Sequence, residues 1–418
     1  MGIACGSEAS SRRRALNALG LLLVLAAAPT VRALPADEGR DAVEAACSAC
    51  HDTGLIERSS GYTQADWRAL TATMIDLSAT PELRTRITAY LAEHFPPNDR
   101  RTPVLVPGPV ELDIESWQVP TLGQRSRDPV EAPDGSIWWA GQSGNLIGRI
   151  DPDTGAMREY PLPPNAMPHS VTPDADGHIW YTGNRNGTLG RLDPQTGEID
   201  VYPMPDPAVR DPHTAEFDAE GRLWFTAQQS NFVGRLDPAT GDIRLVELDR
   251  PASRPYGIKV DADGDVWVAC NGGPCLYRFD GETMAATRID LPNMETTVRR
   301  LDLAADGSVW YVNSGAGRLG HYDPDTGAIR EWPSPSGPRS HPYALVVVDD
   351  IVWYNESGMR PDALVRFDPA TETFQSWPIS SSGVYGGILR HMRQTRDGDL
   401  LIHQSGTNHI MRVSVGAP

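Results

Sequence analysis

The sequence predicts an all-β propeller of seven blades over residues 110–418, preceded by a small all-α domain over residues 34–97. Three observations predict it. The stretch "DGHIWYTGNRNGTLGRLDPQTGEIDVYPMP" (176–205) returns as "EGRLWFTAQQSNFVGRLDPATGDIRLVELD" (220–249) and as "DGSVWYVNSGAGRLGHYDPDTGAIREWPSP" (306–335). Each copy holds four short apolar-alternating runs separated by turn residues, and a period of 42–45 residues with four strands is the pattern of a propeller blade. Ahead of the first copy, the apolar spacing changes to that of helices.

Residues 1–33 read as an export signal. Arg12, Arg13 and Arg14 precede an apolar run from Ala15 to Ala28, and Val31-Arg32-Ala33 offers a small residue for cleavage near Ala33. The arginine cluster loosely matches a twin-arginine signal, with Ala15 where a bulky apolar residue is usual; either route exports the chain. The run is short for a stable anchor and no later stretch approaches twenty apolar residues, so a periplasmic protein with no membrane span is expected. Without this segment 33 basic residues face 54 acidic ones, a net charge near −21. Nucleic acid and anionic membrane surfaces are poor partners for such a chain.

The helical part follows. In "DEGRDAVEAACSACH", Val43 and Ala46 stand at helical spacing. Thr63-Gln64-Ala65-Asp66 is a capping box opening a helix that carries Trp67, Leu70, Met74 and Leu77. Thr80-Pro81-Glu82 starts another, with Leu83, Ile87, Tyr90 and Leu91 on one face. So short a domain buries little apolar surface alone, and a haem is expected to complete its core. Cys47-x-x-Cys50-His51 is the reason. Covalent attachment needs two thiolates one helical turn apart to form thioethers, and a histidine directly after the second to ligate the iron. A zinc site would need two further ligands of similar spacing, and a redox dithiol would need a βαβ context; neither is present. The expected cofactor is one covalent haem c per chain, held by Cys47, Cys50 and His51, with Met74 as the opposite iron ligand. His94 is the alternative ligand, and core packing is the ordinary role of a methionine such as Met74. The segment resembles small c-type cytochromes through "CSACH", "DWRALTATM" and "ITAYLAEHF", which implies electron transfer with a periplasmic redox partner. Residues 98–109 then form a proline-rich, semi-rigid linker.

In the propeller, D-P-x-T-G turns start at Asp151, Asp193, Asp237 and Asp323, with degenerate versions at Asp280 and Asp368. Six repeats are complete, and a seventh (388–415) stops after three strands. "VELDIESWQVP" (110–120) reads like a blade-ending strand with nothing before it. Pairing it onto the last blade closes the ring and leaves no open sheet edge. Cys270 and Cys275 flank "NGGP" between two strands of blade four and are expected to form a disulfide in an oxidising compartment.

The pattern P-[HY]-x-[IVA], D-G-x-[IVL]-W-[FY], G-R-[IL], as in "MPHSVTPDADGHIWYTG" and "RPYGIKVDADGDVWVAC", resembles the virginiamycin B lyase family of streptogramin-opening enzymes over residues 110–415. The resemblance implies that each innermost strand begins near the mouth of the central channel, where a catalytic histidine follows an acidic residue and proline, with metal-binding glutamates from the same blade. Counting back from each blade's Trp places Arg127, His169, His213, Tyr256, Arg299, Tyr343 and Arg390 around that mouth. Asp211-Pro212-His213 repeats the acid-Pro-His pattern, yet Ala227 and Gln228 stand where that blade's glutamate would follow. Glu356 of blade six is the one acidic residue at that place, beside Tyr343. The candidate catalytic residues are therefore His213, Glu356, Arg299 and Tyr343, and the candidate substrate-binding residues Arg127, His169, Tyr256 and Arg390. A divalent metal such as magnesium would have to be assembled across blades. His178, His321 and His409 fall outside the ring register and read as surface or turn residues. A pyrroloquinoline quinone site fits poorly, because Trp332 follows Gly327 by five residues rather than four.

Arginine, histidine and tyrosine around one funnel suit a small anionic, oxygenated substrate. Two function classes follow: an exported haem protein that oxidises or binds such a substrate and passes electrons to the haem, or a lyase or binding propeller whose cytochrome only docks it to a redox partner.

Overall fold

The computed structural model describes residues 34–48, 53–54, 56, 61–97, 101–293, 295–380, 387 and 389–416. Among the described residues twenty-eight strands form seven four-stranded antiparallel sheets. In six of them the strands lie in sequence order; the seventh takes its outermost strand from the other end of the propeller. Leu112–Gln118 runs antiparallel to His409–Val415, with Leu112 opposite Val415 and Gln118 opposite His409. The ring closes as the repeat count requires, the last blade gaining its fourth strand, while each of the seven sheets keeps its own innermost and outermost edge instead of the edge-free closure the sequence suggested.

The repeat motifs have direct physical causes. The second strand of each blade lies between neighbouring blades, so Ile137–Gly141, Leu223–Ala227 and Val309–Asn313 are buried along their whole length and read as continuous apolar runs. The outermost strands are instead half-buried or exposed along their length. The blade tryptophan donates its indole N–H to the aspartate that opens the preceding turn, three residues before the turn glycine: Trp180 to Asp174, Trp224 to Asp218 and Trp267 to Asp261, at 2.8–2.9 Å. The glycine of G-R-[IL] faces the aromatic ring after that tryptophan. A Cβ on Gly148, Gly190, Gly234 or Gly320 would fall 2.0–2.2 Å from Trp139, Tyr181, Phe225 or Tyr311. Each D-P-x-T-G aspartate accepts backbone N–H bonds inside its own turn, as Asp151 does from Asp153 and Thr154. Cys270 and Cys275 are disulfide-bonded across their hairpin, with a Cα–Cα distance of 5.4 Å.

Among the described residues three bounded helices precede the ring: α1 (Arg40–Cys47), α2 (Gln64–Ala72) and α3 (Pro81–His94). The Thr63–Asp66 capping box forms in both directions and Pro81 opens α3. α2 ends earlier than its apolar pattern suggested, so Met74 and Leu77 lie in the turn beyond it. This unit also has an apolar core of its own, with Val43, Trp67, Leu70, Ile87, Tyr90 and Leu91 buried together. The proline-rich segment is tied down: Val106 exchanges hydrogen bonds with Ser376, and Val110 with Gln375, on the outer strand of blade six. Among the described residues no helix is long and apolar enough to cross a membrane.

Candidate functional site at the channel mouth

The innermost strand of a blade carries a β-bulge near its start. Between Pro212 and Ala215, Pro255 and Ile258, Val298 and Leu301, Pro342 and Leu345, and Arg127 and Val130, three residue steps on the inner strand oppose two on its partner. A bulge puts two consecutive side chains on the same side of the sheet. His213, Tyr256, Arg299 and Tyr343 occupy the first of these positions and Thr214 and Arg300 the second; in blade one Arg127 stands just ahead of the bulge and Asp128 opens it, and in blade seven His391 follows Arg390 ahead of the inner strand. The residue paired with the blade tryptophan, or with Leu401 in blade seven, adds Glu216, Lys259, Asp302 and Arg393. Three stacked layers of polar side chains therefore fill the channel.

The outermost layer is tightly joined. The rings of His169 and His213 lie 3.4 Å apart, and those of His213 and Tyr256 4.2 Å. Tyr256 meets Tyr343 hydroxyl to hydroxyl at 2.5 Å, reaching past blade five to blade six. Arg299 donates to the Tyr343 oxygen at 3.2 Å with its guanidinium 4.5 Å from the ring centre, and Arg390 lies 5.6 Å from that centre. Arg125, ahead of the blade-one strand, is lowered to about 9 by burial and by the charges of Arg390 and Arg127.

The second layer converges on Asp128, which is fully buried with a φ of 50°. Its carboxylate takes Arg127 at 3.3 Å, His391 at 3.2 Å, Arg300 at 3.7 Å and His169 at 3.8 Å, from blades one, seven, five and two. Burial alone would raise its pKa, but Arg127, His391 and His169 hold it well below the usual carboxylate range. Burial, reinforced by neighbouring arginines, keeps His169, His213 and His391 far below the ordinary imidazole value. Arg300 also donates to Thr214 at 3.0 Å and to the Arg390 carbonyl at 3.1 Å. Gly257 takes the second bulge position of blade four because a Cβ there would come within 2.9 Å of the Arg299 carbonyl. In the third layer Lys259 pairs with Asp302 at 3.4 Å and Glu216 at 3.9 Å, and Arg393 reaches Glu216 at 3.9 Å.

Three readings change. Glu356 does not join the ring; it accepts hydrogen bonds from the Ser334 hydroxyl and from the backbone and hydroxyl of Ser336, and these tie blade five to blade six. Asp211 does not pair with His213, because its carboxylate takes Gln229 and Ser230, while His213 faces Thr214 at 2.9 Å. His409 is buried, with Nδ1 2.7 Å from the Thr407 carbonyl, rather than on the surface. The grouping of His/Cys/Asp/Glu suited to a metal among the described residues is Asp37, Glu93 and His94, away from the channel.

The helical unit sits on this same face. Gly123, in the loop entering blade one, donates to the Thr73 carbonyl at 3.0 Å, and a Cβ on it would lie 3.0 Å from the Met74 carbonyl. Gly61 packs on the Arg360 side chain of blade six. Cys47 and Met74 are half-buried against the same helical core, whereas His94 is 3.2 Å from the Asp37 carboxylate. Cys50 and His51 lie outside the described residues.

Fold and site together define a seven-bladed β-propeller with a cationic, tyrosine-bearing mouth. Its first half is matched by the sequence profile of the Virginiamycin B lyase family over residues 109–276, so the propeller is virginiamycin B lyase-like. Selenomethionine-substituted virginiamycin B lyase from Staphylococcus aureus superposes with a TM-score of 0.65 at 23% identity, over 73% of this chain and 99% of that one. A catalytically inactive histidine-to-alanine variant of the same enzyme with quinupristin gives the same values. The WD40 propeller domain of Doa1 superposes at a TM-score of 0.57 and 11% identity, over 71% of this chain and 95% of that one. No curated protein matches the chain. At these identities the likeness establishes the fold.

Proposed function

We propose that the propeller binds a small anionic, oxygenated molecule at its channel mouth, and that the helical unit on the same rim carries a covalent haem that accepts electrons from it. One observation supports the binding role above others. Among the described residues Arg127 Nη2 and Arg299 Nε are buried donors without a hydrogen-bond partner, in a protein whose net charge is −18, while Arg300 Nη2 reaches only the Asp128 carboxylate at 3.7 Å. Burying an unsatisfied donor costs free energy, and an incoming carboxylate supplies the missing acceptors. Arg299 and Arg390 hold the anionic head, and Tyr256 and Tyr343 orient the rest of the molecule.

The haem reading rests on Cys47-x-x-Cys50-His51 and on the packing of Cys47 and Met74 against one core. Cys47 and Cys50 would tether the group, with His51 and Met74 as iron ligands. Bound there, haem c supplies a one-electron acceptor. A redox partner in the periplasm would then reoxidise it. A second reading, a C–O lyase or a binding propeller with a docking cytochrome, is favoured by the family match over residues 109–276.

Calorimetric titration of the full chain with small carboxylates tests the binding role. Arg299→Gln and Arg390→Gln are each expected to weaken binding ~10-fold or more, the loss of a charge-assisted pair, while His321→Ala leaves it unchanged. Equal affinity in all three variants would overturn the site. Aerobic screening for molecules that reduce the haem band separates the redox reading from the lyase.

A further inference from the structure

We infer that Tyr343 works as a phenolate, taking a proton from the bound molecule rather than donating one to it. The geometry carries this. The Tyr343 oxygen accepts from Arg299 Nη1 at 3.2 Å and shares a proton with the Tyr256 hydroxyl at 2.5 Å, and its ring lies against the guanidinium groups of Arg299 and Arg390. An oxygen that takes a cationic donor, with a second hydroxyl able to donate to it and a second guanidinium over its ring, is best served by a negative charge.

The surroundings of Tyr343 are cationic or neutral on every side. Blade five presents Arg299 and Arg300, the entry to blade seven Arg390, and blade one Arg125 and Arg127. Blade four presents Tyr256, and the entry to Tyr343's own strand in blade six presents His341, whose ring centre is 6.0 Å away and whose pKa burial lowers to about 4. Asp128 is already engaged by Arg127 and His391. Burial pushes Tyr62, Tyr181, Tyr311 and Tyr354 upwards. Burial acts on Tyr343 the same way, but Arg390, Arg299 and the Tyr256 hydrogen bond outweigh it and bring it to about 8, while burial and Tyr343 raise Tyr256 to about 12. The pair therefore gives up one proton ahead of the other, and the guanidinium groups of Arg299 and Arg390 against the Tyr343 ring favour the charge on Tyr343, leaving Tyr256 to donate.

The chemistry is proton abstraction from an acidic C–H or O–H close to the anionic head of the bound molecule. The phenolate oxygen forms the new O–H bond, the X–H bond breaks, and its electron pair remains on X beside the arginines. This step serves either an oxidation or an elimination. It rests on the Tyr343 environment and not on the identity of the ligand.

Ultraviolet difference titration at the tyrosinate band, wild-type full-length protein minus Tyr343→Phe, is the test. One phenol with a midpoint near 8 is expected. Arg299→Gln and Tyr256→Phe should each move that midpoint up by roughly one unit, the effect of removing a neighbouring charge or donor. A difference spectrum that stays flat to pH 9.5, or a midpoint unmoved in both variants, would overturn the inference. Carboxylate binding measured on the same samples keeps the two outcomes apart, since binding can persist when the phenolate is absent.

Discussion

Asp128 and Glu356 show how burial and partners decide what a carboxylate does. Asp128 is held ionised at the meeting point of four blades, whereas Glu356 spends its acceptors on Ser334 and Ser336 and is raised by burial. Glu356→Gln should therefore lower stability by about 1–2 kcal/mol, the scale of disturbed buried hydrogen bonds, and leave carboxylate affinity within error; urea denaturation and calorimetry read the two quantities. The buried histidines give a pH prediction. His169, His213 and His391 sit well below 6.5 and His403 at about 3, so their folded values are depressed relative to the unfolded chain. A base with a depressed folded value contributes stability above its unfolded pKa and loses it as pH falls through that value. Stability should thus decline below pH 6.5 by up to about 1.4 kcal/mol per unit for each histidine. A denaturation series from pH 7.5 to 4.5 measures this slope, and His391→Asn should make it shallower.

At the scale of the element, the bulge does most to build the site, and a belt of side chains supports it. The hydroxyl of Thr182 donates to the His213 carbonyl and that of Thr226 to the Tyr256 carbonyl, both at 2.9 Å. Asn355 reaches the Leu389 carbonyl at 3.2 Å and Ser405 the Ser126 carbonyl at 2.7 Å. Each of these side chains stands on the second or third strand region of one blade and serves the inner strand of the next, so ring residues inherit their positions from a neighbour. The Thr226 oxygen also accepts from Thr214 N–H. Thr226→Val keeps the shape and deletes both bonds, so a loss of about 2 kcal/mol is expected. Because Tyr256 then loses its backbone anchor, weaker carboxylate binding should accompany the lower denaturation midpoint; Thr240→Val, in an exposed turn, is the control.

At the scale of the whole molecule, the helical unit rests on blades one and six beside the mouth, and this makes the haem question experimental. Expression with a cytochrome c maturation system should give protein that keeps its haem stain through a denaturing gel. Cys47→Ala with Cys50→Ala should abolish the stain, and Met74→Ala should remove the near-infrared band of an iron–thioether bond while the stain persists. Haem lost on denaturation of the wild type would sink the covalent reading. The propeller should fold in the double variant, because each blade packs on its neighbours and the ring closes through Leu112–Gln118 without help from residues 34–97.

Strand number, blade count, ring closure and the Cys270–Cys275 pairing were legible in the sequence, because each rests on local pattern: turn aspartates, period-two alternation, a missing strand at one end and its match at the other. The first layer of the channel, from Arg127 to Arg390, was legible for the same reason, since counting from a buried tryptophan carries register along a strand. The second layer was not. Asp128 and Arg300 would point away from the channel in a regular strand, and a bulge that leaves no mark in a single sequence turns them inward, while His391 lies ahead of the Arg393–Gln394 strand, where counting along a strand does not reach. The residues "SRDP", "VRRL" and "LRHM" carried the hint only as adjacent charged pairs. The sequence by itself determined the architecture, through repetition and hydrophobic period. Tertiary structure alone decided which polar side chains meet, because Asp128, Arg300, His391 and Tyr343 come from different blades and touch only once the ring has closed.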